Sequence, residues 1–108
     1  MNGKIVQDME KEQFNIDEYG NYYVGKFKNS LRHGKGIIYY KNGNILYEGD
    51  FINDKFEGNG KYIYENGDYY IGEWKNDLKH GKGIEYYKNG NIKYEGDFIN
   101  GFPKCIIF

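Results

Sequence analysis

Four tyrosines, Tyr23, Tyr47, Tyr70 and Tyr94, recur at intervals of 24, 23 and 24 residues in a chain of 108. Each is followed two residues on by a glycine (Gly25, Gly49, Gly72, Gly96), and two further on by a large aromatic (Phe27, Phe51, Trp74, Phe98). Self-similarity at a fixed period implies an array of like units, each too small to bury its own face alone. The Tyr-x-Gly-x-aromatic spacing has period 2, so all three positions share one face of a strand. Glycine between two aromatics leaves room for a neighbouring ring over the backbone. A second block carries the pairs Gly34/Gly36, Gly58/Gly60 and Gly81/Gly83, which read as a loop entering a second strand. Tyr40, Tyr64 and Tyr87 follow four residues later. Asn42-Gly43, Asn66-Gly67 and Asn89-Gly90 then predict type I′ hairpin turns, which need positive φ at both central residues. One unit is therefore strand, Gly-rich loop, strand, tight turn, with successive strands adjacent and antiparallel. The 13 Tyr, 7 Phe and 16 Gly, with no Ala, favour strands and turns over helices.

The pattern resembles the MORN repeat family, whose unit runs close to Tyr-x-Gly-x-Trp, His-Gly-x-Gly, an aromatic strand and a Gly turn. "YIGEWKNDLKHGKGIEYYKNGN" (70–91) follows it nearly throughout, and "YVGKFKNSLRHGKGIIYYKNGN" (23–44) has Phe27 for the Trp. The unit at 47–68 has Glu57 in place of His, and 94–108 lacks the glycine pair. The resemblance covers roughly residues 14–100. It implies an all-β fold, a single extended, twisted antiparallel sheet of tandem hairpins. The chain divides into one domain: 1–22 as an N-terminal cap with half a unit, 23–46, 47–69 and 70–93 as full units, and 94–108 as a partial unit with a C-terminal cap.

A longer repeat overlies the short one. Residues 23–53 and 70–100 match at 24 of 31 positions, 47 residues apart, so units one and three differ systematically from two and four. The copies differ at Arg32 against Lys79 and at Ile38 against Glu85, the better places to look for function. The Tyr/Phe/Trp face reads as the core side. The opposite face should be polar, yet Ile37, Tyr39, Ile84 and Tyr86 fall on it, and a single sheet has no second layer to bury them. Either a terminal segment or a partner covers them. The N-terminal "KIVQDMEKEQF" spaces Ile5 and Met9 for a short helix, or supplies an extra strand.

Little in the chain points to chemistry. His33 and His80 occupy equivalent loop positions two units apart, too far to share a metal or a proton-transfer site. The carboxylate pairs Glu48/Asp50 and Glu95/Asp97 recur with the repeat and face no nucleophile, and Ser30 has no spaced His/Asp partners. "HGKGI" lacks phosphate-loop spacing and context. We therefore expect no enzyme activity, no cofactor and no metal. The net charge of −1 is banded: +5 over 23–46, −4 over 47–69 and +2 over 70–93. Interleaved Tyr and Lys could stack single-stranded nucleic acid, but the basic charge is discontinuous and that partner is disfavoured.

The resemblance implies an interaction module: family arrays serve protein contact, dimerisation and, in some cases, phospholipid binding. The expected function is therefore an adaptor or inhibitor that captures a protein through its aromatic face, at Tyr23, Phe27, Tyr40, Tyr47, Phe51, Tyr64, Tyr70, Trp74, Tyr87, Tyr94 and Phe98, or through its edge strands. Open edges also imply a homodimer. The rival is an acidic phospholipid surface bound by the basic first unit, at Lys26, Lys28, Arg32 and Lys35. The lone Cys105 and the lack of a signal-peptide core favour a soluble, cytoplasmic protein. The terminal "CIIF" fits a prenylation box at Cys105, but a closing strand that completes the last unit is favoured.

Overall fold

A computed structural model of the chain describes residues 12–104. The alternative readings of the N-terminal segment up to residue 11, and of "CIIF" at Cys105–Phe108, lie outside the described residues.

The described chain is one antiparallel sheet of nine strands in strict sequence order. The strands are β1 (Glu12–Asn15), β2 (Tyr22–Lys28), β3 (Leu31–Tyr39), β4 (Ile45–Ile52), β5 (Lys55–Ile63), β6 (Tyr69–Lys75), β7 (Leu78–Tyr86), β8 (Ile92–Ile99) and β9 (Phe102–Pro103). β1 supplies the half unit before Tyr23, with Phe14 opposite it. Connections of two to six residues between strands force each neighbour to be antiparallel.

The two turn types lie the other way round from the sequence expectation. The type I′ turns are at Asn29-Ser30, Asn53-Asp54, Asn76-Asp77 and Asn100-Gly101, where both residues have positive φ, such as 48° and 75° at Asn53-Asp54. At the Asn-Gly pairs only the glycine is left-handed, with φ of 94°, 98° and 94° at Gly43, Gly67 and Gly90. Each such glycine N–H donates to the tyrosine carbonyl three residues back, for example Gly43 to Tyr40 at 2.8 Å. That is a type I turn closed by a left-handed glycine. The asparagine is held right-handed because its own side chain accepts the N–H two residues on, at 2.9 Å for Asn44, Asp68 and Asn91.

The His-Gly-x-Gly block is likewise strand, not loop. Its two glycines do different work. Gly34, Gly58 and Gly81 have φ of 81°, 67° and 61° and form bulges, where three residues of β3, β5 or β7 oppose one of the preceding strand. Gly36, Gly60 and Gly83 pair in register with the glycine of the tyrosine motif on both sides. Gly25, Gly36, Gly49, Gly60, Gly72, Gly83 and Gly96 thus form one unbroken row across the sheet.

Candidate functional site

The glycine row exists for the tyrosines. Each repeat tyrosine lays its ring over the glycine of its own strand, and Tyr23, Tyr47 and Tyr70 also cover the paired glycine of the next strand, Gly36, Gly60 and Gly83; each donates its hydroxyl proton to the carbonyl three residues on. Those bonds are Tyr23 to Lys26 at 2.7 Å, Tyr47 to Asp50 at 2.9 Å, Tyr70 to Glu73 at 2.9 Å and Tyr94 to Asp97 at 3.0 Å. A Cβ at Gly72 would lie 2.5 Å from both the Tyr70 hydroxyl and Gly83 Cα. With the rings laid flat, the aromatic two positions on meets them edge to face. Phe27, Tyr23, Phe51, Tyr47, Trp74, Tyr70, Phe98 and Tyr94 form a continuous zigzag, with centroids 5.0–5.7 Å apart and planes at 77–89°. Such pairs add about 0.5–1.5 kcal/mol each beyond their buried area.

This spine is the core. Tyr23, Tyr47 and Tyr70 are 0% exposed, Phe51 and Phe98 1%, and Trp74 6%. The protein-binding assignment therefore has to be corrected at these positions, because their surface is already spent within the sheet; Phe27 and Tyr94 pack against them. Tyr40 is half-buried and donates to Ile63 O at 2.5 Å. Tyr64 is held by Lys79. Tyr87 is exposed, with Lys93 Nζ 5.1 Å from its ring centroid.

The two differing positions of the duplicated units form one device. In unit one, Arg32 lies 5.2 Å over the Phe51 ring and donates through Nε to Asp54 at 2.6 Å, while Ile38, in the place of Glu85, is buried. Unit three has Gly101 where that aspartate would fall, so Lys79 takes its carboxylate from Glu85, at 2.6 Å, and also donates to the Tyr64 hydroxyl. Burial pulls the Lys79 pKa down, and the bonds from Glu85 and Tyr64 outweigh it, leaving it raised. The basic first unit does not converge. Arg32 sits on the spine face, whereas Lys26, Lys28 and Lys35 sit on the other, where Lys35 pairs with Asp50 at 2.5 Å. Burial raises the Asp50 pKa, but hydrogen bonds from Lys35 and the Asn59 N–H leave it lowered. His33 and His80 lie in equivalent bulges. Among the described residues no group of three His, Cys, Asp or Glu is placed to hold a metal ion.

The opposite, outer face is where apolar surface remains. Tyr22 stacks on Tyr39 (5.0 Å, 17°), and beside them Val24 pairs with Ile37. Four strands away the arrangement repeats: Tyr69 stacks on Tyr86 (4.6 Å, 17°), and Ile71 pairs with Ile84. Ile71 is 43% exposed. Glu48 and Lys61, a cross-strand pair on β4 and β5, separate the two patches. Shallow hollows follow the glycine row, one lined by Val24, Ile37, Asn59 and Ile71, another by Ile71, Lys82, Ile84 and Glu95. At the type I′ rim the first three hairpin ends set a lysine against an aliphatic on this face: Lys28 with Leu31, Ile52 with Lys55, Lys75 with Leu78; the fourth pairs Ile99 with Phe102. Sequence reasoning placed Ile37, Tyr39, Ile84 and Tyr86 here but missed Tyr22, Val24, Tyr69 and Ile71. Their signal is the same alternation, read one residue either side of the repeat tyrosine.

A family model described as MORN repeat matches residues 23–45, 47–69, 70–92 and 94–104. Two curated relatives are similar over part of the array, each named inactive protein tyrosine kinase pTKL. The protein from Plasmodium berghei (strain Anka) is 38% identical over 65 residues, 59% of this chain and 5% of the relative. The one from Plasmodium falciparum (isolate 3D7) is 48% identical over 54 residues, 48% of this chain and 4% of the relative. The chain thus spans about a twentieth of the length of these relatives.

Proposed function

The chain belongs to the MORN repeat family, and from that premise we propose that it is a non-catalytic protein-binding module, an adaptor or inhibitor, that works through its outer face and edge strands. The observation that carries this reading is the pair of apolar patches on a face that no second layer of the described residues covers. Interfaces draw their energy from aromatic and aliphatic side chains of this kind, set within a polar surround. Here the surround is Lys35–Asp50 and Lys82–Asp97, ion-paired at 2.5 and 2.9 Å. The edge strands offer a second mode, by strand addition.

Affinity capture from the native source, with wild-type and Ile71→Glu baits, tests the outer face. The expected result is a partner lost from the Ile71→Glu bait while its circular dichroism is unchanged. Equal capture by both baits moves the contact to the edges. The lysine–aliphatic rim favours a second reading, binding to acidic phospholipid, through Lys28, Lys55 and Lys75 in place of Arg32. Flotation with phosphatidylserine liposomes should then fall steeply from low to high salt.

A further inference from the structure

The outer face carries an internal symmetry that selects one partner. Take a two-fold axis parallel to the strands, above the line between β4 and β5. It lays β2 of one copy over β7 of another, and β3 over β6. The tyrosine row, the branched aliphatic row and the charged pair at the axis then each meet their counterparts. Tyr22 lies over Tyr86 and Tyr39 over Tyr69, so each stacked pair covers the other. Val24 lies over Ile84 and Ile37 over Ile71, joining the two apolar patches. At the axis, Glu48 lies over Lys61 and, by symmetry, Lys61 over Glu48. Lys35 falls over Glu73. The one like-charged juxtaposition is Lys26 over Lys82, and Asp97 already lies 2.9 Å from Lys82.

Building on the outer face as a protein-docking surface, we propose that its occupant is a second copy of this chain, packed face to face across that two-fold. The patches are about 19 Å apart, four strand spacings. An unrelated partner would have to reproduce that spacing, whereas a second copy has it by construction. Two sheets packed in this way keep their strands within about 30° of each other, the aligned sandwich geometry. The contact is isologous, so it closes at two copies and leaves both edges free.

The charge pair at the axis gives the test. Sedimentation equilibrium of the full chain should report a dimer of the 12.8 kDa protein. Glu48→Lys alone and Lys61→Glu alone should each weaken self-association by about tenfold or more, because each sets like charges face to face. An equimolar mixture of the two variants should restore the dimer, since position 48 of each chain then again meets the opposite charge at position 61 of the other. The strained cross-strand pair inside each sheet is unchanged by mixing, so the restoration reads only the contact between copies. Circular dichroism confirms that each variant is folded. A monomeric wild type overturns the proposal, as does a dimer indifferent to both reversals or a mixture that stays monomeric. Should the full chain be monomeric but dimerise once residues 1–11 are deleted, the N-terminal segment is the occupant instead, and the proposal fails. A monomer that still loses a captured protein through Ile71→Glu defeats the dimer alone and leaves the broader binding reading standing.

Discussion

At the scale of single residues, three of the spine tyrosines tie stability to pH. Burial pushes the Tyr23 phenol up to about 12 from an ordinary 10, and burial likewise raises Tyr47 and Tyr70. The neutral form is the one the fold holds. Below pH 10 both folded and unfolded chains keep the proton, and the stabilisation is complete. Between 10 and 12 the unfolded chain releases it first, so stability falls as pH rises. Alkaline titration of phenolate absorbance should show Tyr23, Tyr47 and Tyr70 ionising only as the circular dichroism signal collapses. Tyr70→Phe tests the hydroxyl itself: it removes one donor to Glu73 O and should cost about 1 kcal/mol in urea unfolding. Gly72→Ala should cost more, about 3 kcal/mol, because the added methyl meets backbone that cannot move aside.

At the scale of elements, the tight turns tie unit to unit. In the last three of these turns the second residue donates its N–H to the previous unit: Asp54 to Arg32 O at 2.9 Å, Asp77 to Phe56 O at 3.1 Å, Gly101 to Lys79 O at 3.0 Å. Asp77 also accepts the Phe56 N–H at 2.8 Å. Asp77→Gly keeps the left-handed backbone and loses that bond, for about 1 kcal/mol. Asp77→Ala loses the bond and strains φ of 70° as well, for about 2 kcal/mol. Equal losses by thermal melting would mean that the backbone strain is negligible. These turns were hidden in the sequence. Asn-Ser and Asn-Asp look weaker than Asn-Gly as hairpin signals, and the tie that makes them tolerable comes from a strand about twenty residues away. The strands, their order and the spine were legible, because period 2 and the 23-to-24-residue spacing leave one antiparallel arrangement. Which face serves a partner was not legible in the same way. Tyr-x-Gly-x-aromatic reads equally as interface or core until the ring is seen lying across the paired glycines of its own strand and the next.

At the scale of the molecule, an array of this kind is held by nearest-neighbour contacts, and each unit lends a ring to the next. Tyr47 touches both Phe51 of its own unit and Trp74 of the following one. Trp74 is the one tryptophan in a position that units one, two and four fill with phenylalanine. Its indole N–H donates to Gly60 O at 3.1 Å, a bond no phenylalanine can make. Trp74→Phe should therefore keep the zigzag and cost about 1–2 kcal/mol, the hydrogen bond and some packing. Trp74→Ala should cost about 3–5 kcal/mol, because it breaks the spine between units two and three. Hydrogen exchange separates the two cases. Under Trp74→Phe protection should fall evenly over the sheet. Under Trp74→Ala the amides of β4–β7 should lose protection first, with β2 and β3 retaining theirs. An even loss under Trp74→Ala would mean that the spine acts as one cooperative core and that the units do not unfold as neighbours.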